Sequence, residues 1–193
     1  ESMQQAGESA PGGMAAVLGM ERDALDTLCQ IVSKETGQPL VVANDNCPGQ
    51  IVISGHEDAL LLGMERATAE GAKRVVRLAV SIAAHSPLMQ AAEVPFKAAV
   101  DVVELKAPQF PVYTNASPQP CSDVNQLRAD LGKQLTNPVR WTETIQAMLA
   151  SGVTQFVEIG SGDVLTNLVK RMDRSVARVA INNVASMEQF LNA

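Results

Sequence analysis

The feature of this sequence that most constrains its fold is a run of branched aliphatic residues that ends at a histidine. Residues 73–90 read KRVVRLAVSIAAHSPLMQ. The run is too continuous for the exposed face of a helix, and it predicts a strand over 73–82 that is covered on both sides. Ser86 and Pro87 are typical of the first residues of a helix. His85 is therefore predicted where a buried strand leads into a helix.

A histidine at this position has two interpretations. The loop after a strand often holds a reactive side chain in α/β enzymes, because the strand fixes its position while the loop stays open to ligand. A histidine after an apolar run is, however, more often a packed or surface residue. The pattern alone leaves the role of His85 open.

Residues 14–82 alternate between the patterns of strands and helices. The order is strand, helix, strand, strand, helix, strand, over residues 14–18, 21–36, 40–43, 50–54, 57–70 and 73–82. Gly37 follows the first helix as a stop signal, and Ser54 and Glu57 have the spacing of a capping box before the second. This order is that of the split βαβ unit, so the segment is predicted to be a ferredoxin-like subdomain.

The rest of the chain follows a longer alternation of helices and strands. A helix is predicted over 87–104, with a kink or break at Pro95. Ser122 and Asn137 are predicted to cap later helices. Residues 1–13 are polar and contain Gly and Pro, which indicates the end of a helix and a linker. The predicted fold class is α/β, with segments 1–13, 14–82 and 83–193.

Composition narrows the possible partners. A net charge of -6 argues against nucleic acid, which needs a basic face. The three cysteines lack the spacing of a zinc site or a disulfide framework, which favours a reducing compartment. Neither a membrane-spanning stretch nor a leader pattern is found. We therefore expect a cytoplasmic protein without a metal site and without a membrane partner.

Other motifs allow alternatives. The turn Gly160–Asp163 could hold an anion at a helix N-terminus, but its aspartate would repel phosphate, so a plain strand–helix turn is favoured. Basic clusters occur at Lys73, Arg74 and Arg77 and within 170–178. Each is either a solvated surface or a docking site for a partner. The sequence has no G-x-S-x-G elbow that would expose a serine nucleophile.

Five segments together resemble one enzyme family. They read NDNCPGQIVISG, AEGAKR, VSIAAHSPLM, KQLTNPVRW and FVEIGSGDVLTNLVKR. In this order and spacing they resemble malonyl-CoA:acyl carrier protein transacylases, over essentially the whole chain. The resemblance implies an acyltransferase of fatty acid synthesis that takes malonyl-CoA as its substrate, needs no cofactor, and loads an acyl carrier protein.

The resemblance also implies an architecture and a mechanism. The family inserts a ferredoxin-like subdomain into a larger α/β-hydrolase-like domain and uses a Ser-His pair. Its serine lies in a GHSxG elbow and its carboxylate-binding arginine in an M-R-G segment, both upstream of the string that ESMQQAG matches. We therefore expect this chain to be the C-terminal part of such an enzyme and to be inactive alone.

The resemblance assigns roles to individual residues. His85 falls on the catalytic histidine of the family. Gln134 falls on the glutamine whose backbone carbonyl orients that imidazole, and Asn46 on an asparagine of the substrate pocket. Lys73 and Arg74 match a basic site suited to an acidic carrier protein.

One departure affects specificity. Many malonyl-selective members have an aromatic residue just before the histidine, whereas Ala83 and Ala84 precede His85 here. A roomier pocket that admits bulkier acyl groups is therefore an open alternative. Two further alternatives are an acyltransferase domain of a polyketide synthase and a non-catalytic protein-binding module.

Overall fold

The computed structural model describes residues 11–192. Residues 1–10 of the predicted linker lie outside the described residues, and the first strand already begins at Gly12. The chain divides into two compact units between Thr144 and Ile145. The predicted boundary between 82 and 83 stays a prediction. The described chain is mixed α/β, as predicted.

The first unit contains a four-stranded antiparallel sheet. Its strands are β1 (Gly12–Leu18), β2 (Leu40–Cys47), β3 (Gln50–His56) and β4 (Arg74–Arg77). They lie in the order β2-β3-β1-β4, with every neighbouring pair antiparallel. Helix α1 (Arg22–Thr36) connects β1 to β2, and α2 (Glu57–Ala69) connects β3 to β4. The predicted order of elements over this segment is confirmed.

Both helices pack on one face of this sheet because each carries an apolar stripe at helical spacing. Leu25 and Val32 of α1 and Leu60 of α2 are fully buried against Val17 and Ile53 of the sheet. Burial of each such side chain contributes about 1.5–3 kcal/mol. The opposite face of the sheet carries a smaller cluster and faces the loop that contains His85.

The predicted strand over 73–82 is corrected by the structure. Only Arg74–Arg77 form a strand, and β4 is an edge strand with two exposed arginines. The expectation of a strand covered on both sides is therefore wrong. After Leu78, whose N–H donates to the Met14 carbonyl over 2.9 Å, the chain leaves the sheet edge. Charged side chains are typical of edge strands.

Several predicted turns and caps are also corrected. Residues 44–47, which lie between the predicted strands 40–43 and 50–54, belong to β2. The cap of α2 is His56, whose Nδ1 accepts the Asp58 N–H over 3.3 Å. Ser54 instead lies in β3, fully buried, with no hydrogen-bond partner for its hydroxyl among the described residues. A strand residue whose side chain points into a packed face cannot cap the next helix.

The rest of the first unit consists of short elements around the His85 loop. They are a 3-10 turn (Pro87–Met89), α3 (Gln90–Val102), β5 (Val112–Tyr113), β6 (Pro120–Cys121), α4 (Val124–Gly132) and the start of α5 (Trp141–Ala150). Helix α3 is not broken at Pro95. Asp123, not Ser122, caps α4, and Asn137 lies in a turn ahead of α5 rather than at its cap.

The second unit contains a two-stranded parallel sheet. Strands β7 (Gln155–Ile159) and β8 (Ala177–Ile181) pair in register, with α6 (Val164–Met172) between them and α7 (Val184–Leu191) after them. These elements agree with the predicted alternation. Across residues 11–192, no helix combines the length and apolar character needed to cross a membrane.

Candidate active site

His85 lies in a tight loop that its neighbours hold in place. The Ser86 hydroxyl, fully buried, donates to the Ala83 carbonyl over 2.6 Å and accepts the Leu88 N–H over 3.3 Å. The His85 N–H donates to the Leu135 carbonyl over 3.0 Å. The loop is therefore fixed by hydrogen bonds on both sides of the histidine.

The backbone of His85 is in the left-handed region. Its φ is +58°, and within residues 11–192 no other non-glycine residue has a positive φ. This conformation costs an ordinary L-residue about 1–2 kcal/mol. Such conformations persist where the surroundings impose them, and they cluster at functional sites.

The imidazole of His85 is bound by two backbone carbonyl groups. Its Nδ1 lies 3.0 Å from the Gln134 oxygen and 3.0 Å from the Asn137 oxygen. Carbonyl oxygens only accept hydrogen bonds, so Nδ1 must carry the hydrogen. In the neutral ring, Nε2 is then the unprotonated nitrogen and can accept a proton. The ring is half-buried, and the arrangement is suited to a general base.

Both carbonyl groups belong to one turn, residues 133–137, at the end of α4. The Lys133 carbonyl accepts the backbone N–H of Thr136 over 3.2 Å and of Asn137 over 3.1 Å. It also accepts the side-chain amide of Asn137 over 2.9 Å. The Thr136 hydroxyl donates to Glu93 on α3. Several independent contacts therefore fix the direction of the carbonyl groups.

The chain that follows the turn is attached to β2. Val139 donates its N–H to the Ala43 carbonyl over 2.8 Å and accepts the Asp45 N–H over 2.9 Å. The buried Asp45 carboxylate accepts the Thr142 hydroxyl over 2.6 Å and lies 3.7 Å from Arg22. The turn is thus held between α4 on one side and the four-stranded sheet on the other.

The two alanines before His85 face the protein interior. Ala83 is fully buried, and a Cβ built on Gly12 would lie 2.9 Å from the Ala83 Cβ. Ala84 packs against Met14, Ala43 and Val52 on the helix-free face of the sheet. A large side chain at either position would have to displace β1 or this apolar cluster, so the small residues match their surroundings.

Gln134 and Asn46 differ in their relation to His85. The backbone carbonyl of Gln134 contacts Nδ1, while its side-chain oxygen accepts from Asn115 over 3.2 Å. Asn46 is half-buried in β2, and no hydrogen bond joins it to His85 in the described part of the chain. The catalytic role of Gln134 and the substrate-binding role of Asn46 stay predictions.

Lys73 and Arg74 lie far from His85. Arg74 pairs with Leu18 at one end of β1, whereas Ala83 contacts Gly12 at the other end. Six residue steps along a strand correspond to roughly 20 Å. The structure therefore places the predicted docking residues and the imidazole at opposite ends of the sheet.

Of the three residues in the predicted basic cluster, one is neutralised by an ion pair. Arg77 binds the Glu57 carboxylate through two hydrogen bonds, one of 2.7 Å. The hydrogen bond from Arg77 lowers the pKa of Glu57. Lys73 and Arg74 are exposed and form no ion pair within the described residues. They are the cations of this cluster that have no ion pair within the described residues and could bind a partner.

The turn Gly160–Asp163 precedes a helix N-terminus that is already occupied. The Glu158 carboxylate accepts the N–H of Leu165 over 3.1 Å and of Thr166 over 2.7 Å. Burial raises the pKa of Glu158, but the hydrogen bonds from Thr166 and Leu165 together lower it by more. The net shift of the pKa is therefore downward. An external anion would compete with this carboxylate, which favours a plain strand–helix turn.

Sequence reasoning missed the Asn137 carbonyl. Asn137 and Pro138 predicted a helix start, because Asn-Pro is common there. The acceptor is a backbone atom, and its direction depends on the turn rather than on the residue type. The only available signal was the proline, which biases the preceding residue towards an extended conformation and so towards a turn.

Comparison with known proteins identifies the family. The family model described as "Acyl transferase domain" matches residues 2–189. The malonyl CoA-acyl carrier protein transacylase of Bacillus subtilis (strain 168) is 39% identical over 97% of this chain and 59% of its own length. That of Staphylococcus aureus (strain MRSA252) is 37% identical over 96% of this chain and 60% of its own length. The chain thus spans about 60% of the length of these curated relatives.

Known structures agree with these relatives. A malonyl-transacylase in complex with a type II polyketide synthase acyl-carrier protein matches with a TM-score of 0.94 and 37% identity, over 99% of this chain and 61% of that one. The transacylase of Coxiella burnetii matches with a TM-score of 0.94 and 32% identity, over 99% and 60%. The fold is therefore shared with these proteins over 99% of the chain, and the chain belongs to the acyl transferase domain family.

Proposed function

We propose that this chain supplies the histidine of a Ser-His acyltransferase that moves a malonyl group from coenzyme A to an acyl carrier protein. The observation that carries the proposal is the contact of His85 Nδ1 with two backbone carbonyl oxygens. The nucleophilic serine would come from a segment outside these 193 residues. In this proposal the four-stranded unit is the ferredoxin-like subdomain, and the later elements are the C-terminal part of the α/β-hydrolase-like domain.

The first half of the reaction acylates the serine. His85 Nε2 takes the proton of the serine hydroxyl as the oxygen attacks the thioester carbonyl. The tetrahedral intermediate then expels the coenzyme A sulfur, which takes the proton from the imidazolium and leaves as the thiol. General-base catalysis of this kind contributes about 10²- to 10⁴-fold in rate.

The second half transfers the acyl group to the carrier. His85 Nε2 takes the proton of the phosphopantetheine thiol, whose sulfur attacks the acyl-serine carbonyl. The serine oxygen leaves and recovers the proton from the imidazolium, so the pair returns to its starting state. The carbonyl oxygens of Gln134 and Asn137 stabilise the imidazolium in both halves, in place of the carboxylate of a triad.

The carrier protein would dock at a distance from the histidine. Acyl carrier proteins are acidic, and Lys73 and Arg74 are exposed cations without an ion pair in the described residues. Their separation from the His85 loop, roughly 20 Å along β1, would be spanned by the flexible phosphopantetheine arm. Asn46 would contact the substrate. A cytoplasmic location forms part of the same proposal.

The test replaces each histidine of the chain in the complete acyltransferase. We expect His85→Ala to lower malonyl transfer from malonyl-CoA to holo-acyl carrier protein by at least about 100-fold. The matched control is His56→Ala, because the His56 side chain binds the Asp58 N–H at the start of α2, and it should leave transfer within about twofold. A loss below tenfold for His85→Ala would reject the general-base role.

A second test concerns the missing nucleophile. The 193-residue chain incubated alone with malonyl-CoA should show no covalent malonyl adduct by intact mass, because it contains no serine elbow. The complete acyltransferase is the positive control. An adduct on the isolated chain would overturn the proposal that the serine lies elsewhere.

The identity of the carrier is a separate question. One matching structure contains a type II polyketide synthase carrier protein, so a polyketide carrier is the second candidate acceptor. Transfer rates to a fatty acid carrier and to a type II polyketide carrier, measured under equal conditions, distinguish the two. We expect the fatty acid carrier to be loaded faster, and the reverse order would assign the enzyme to polyketide synthesis.

A further inference from the structure

We propose that Asn137 is a positioning residue, whose side-chain amide holds the turn so that its own backbone carbonyl faces His85 Nδ1. This inference rests on the proposed function of His85. It adds a second orienting group to the Gln134 carbonyl, and it gives a role to a side chain that does not itself touch the imidazole.

The two carbonyl groups are held in different ways. The Gln134 N–H donates to the Leu131 carbonyl over 3.1 Å, so Gln134 continues the hydrogen-bond pattern of α4. Asn137 lies three residues further along, where the helical pattern has ended. Its position depends on the Lys133 carbonyl, which accepts both its backbone N–H and its side-chain amide.

The side-chain amide is the contact that distinguishes Asn137 from most other residues. Any residue except proline supplies the backbone N–H, but only a short side chain with a donor can reach back to the Lys133 carbonyl at 2.9 Å. Because Pro138 has no N–H, the next residue adds no backbone donor to the turn. The amide therefore gives Asn137 itself a second bond to the Lys133 carbonyl, beside the bond from its backbone N–H.

The consequence for His85 is a choice of tautomer and ring orientation. With both acceptors in place, the Nδ1 hydrogen has a partner on each side, and Nε2 is free to act as the base. If the Asn137 carbonyl turns away, the ring keeps one acceptor and can rotate or exchange its tautomer. We expect this loss to affect the rate of the chemical steps more than the binding of malonyl-CoA.

The experiment compares three variants of the complete acyltransferase. Asn137→Ala removes the amide donor, and we expect kcat to fall about tenfold with KM for malonyl-CoA within about twofold. Asn137→Ser keeps a short donor and should recover part of the lost kcat. The matched control, Asn115→Ala, removes the donor to the Gln134 side chain but not from the turn, and should keep kcat within about twofold.

A spectroscopic readout separates positioning from general damage. In nitrogen-15 spectra of histidine-labelled enzyme, the wild type should show His85 as the tautomer protonated at Nδ1, and Asn137→Ala should show a mixture of tautomers. An unchanged tautomer and unchanged kcat in Asn137→Ala would overturn the inference. A serine variant as slow as the alanine variant, with native thermal stability, would also overturn it.

The outcomes distinguish this inference from the proposed function. If His85→Ala abolishes transfer while Asn137→Ala is fully active, only the role of Asn137 is rejected. If His85→Ala is active, the proposed function fails and the inference fails with it.

Discussion

The sheet unit of residues 12–77 and the unit of residues 145–192 bury their apolar side chains to different extents. In the first, Leu25, Val32 and Leu60 are inaccessible to solvent. In the second, Ile159 is 80% exposed and Val184 73% exposed. The sheet unit covers one face of its four-stranded sheet with its own two helices, whereas the unit of residues 145–192 has a sheet of two parallel strands. Parallel sheets are normally covered on both faces, and small two-stranded sheets are marginal.

The difference teaches that stability in this chain is local. The sheet unit contains the helices that cover one face of its sheet, so the core on that face depends little on other segments. The apolar side chains of the second unit gain little free energy where they lie in water. We therefore expect the two units to respond unequally to the same perturbations.

The largest expected contrast is between two truncations of apolar side chains. Leu60→Ala, at a fully buried site, should lower the free energy of unfolding by about 2–5 kcal/mol. Ile159→Ala, at a site that is 80% exposed, should change it by less than about 0.5 kcal/mol. Urea unfolding followed by circular dichroism measures both. Equal losses would show that Ile159 is covered in solution and would break the comparison.

Hydrogen exchange should give a contrast of intermediate size. The amides of β1 and β3 lie at the centre of the four-stranded sheet, and those of β7 pair only with β8 in the described residues. We expect protection factors in β1 and β3 at least about tenfold higher than in β7, which corresponds to about 1.4 kcal/mol. Amide-resolved exchange by mass spectrometry measures this ratio. Equal protection would mean that both units open together.

The smallest expected contrast is in the response to acid. Glu57 and Glu158 both have a lowered pKa. A carboxyl whose folded-state pKa is lowered stabilises the protein above its unfolded pKa, and this contribution is lost as pH falls through the folded value. Glu57→Gln and Glu158→Gln should each make stability less dependent on pH below about 4.5, by less than about 1 kcal/mol because both groups are partly exposed to solvent.

The contributions of Glu57 and Glu158 to stability should differ in their dependence on salt concentration. Glu57 binds the charged Arg77, so its contribution should shrink at high ionic strength. Glu158 accepts backbone N–H groups of α6 and should be less sensitive to salt. Thermal unfolding between pH 3 and 7, at low and high salt, measures both effects. Identical salt sensitivity would contradict this assignment of causes.

The order of elements could be predicted from the sequence because it depends on local pattern. Apolar periodicity defined α1, β3 and β7, and Gly37 marks the end of α1 in a left-handed conformation, with a φ of +66°. The extent of β4 could not be predicted. A continuous apolar run indicates burial but not what the residues pack against, and Ala83 and Ala84 pack against β1 and the helix-free face of the sheet instead of extending β4.

The candidate site was predictable only in part, for a related reason. His85 stood out through its position after the apolar run, and the Gln134 carbonyl entered through resemblance to a family. The bond between Asn137 and Lys133 joins residues four apart in a turn that was predicted as a helix start. Every residue has a backbone carbonyl, so the residue types alone do not indicate which carbonyl binds the imidazole. The structure is needed to identify it.

The acceptors of His85 are main-chain oxygens, and this has a consequence for mutational scanning. A carbonyl oxygen survives every substitution of its own side chain, so replacing Gln134 by alanine should leave the hydrogen bond to Nδ1 in place. A scan of single substitutions would then rate residue 134 as tolerant although its backbone atom contacts the imidazole. Inserting or deleting one residue in the 133–137 turn would reveal the contribution of this carbonyl to His85, because the path of the backbone determines where the oxygen lies.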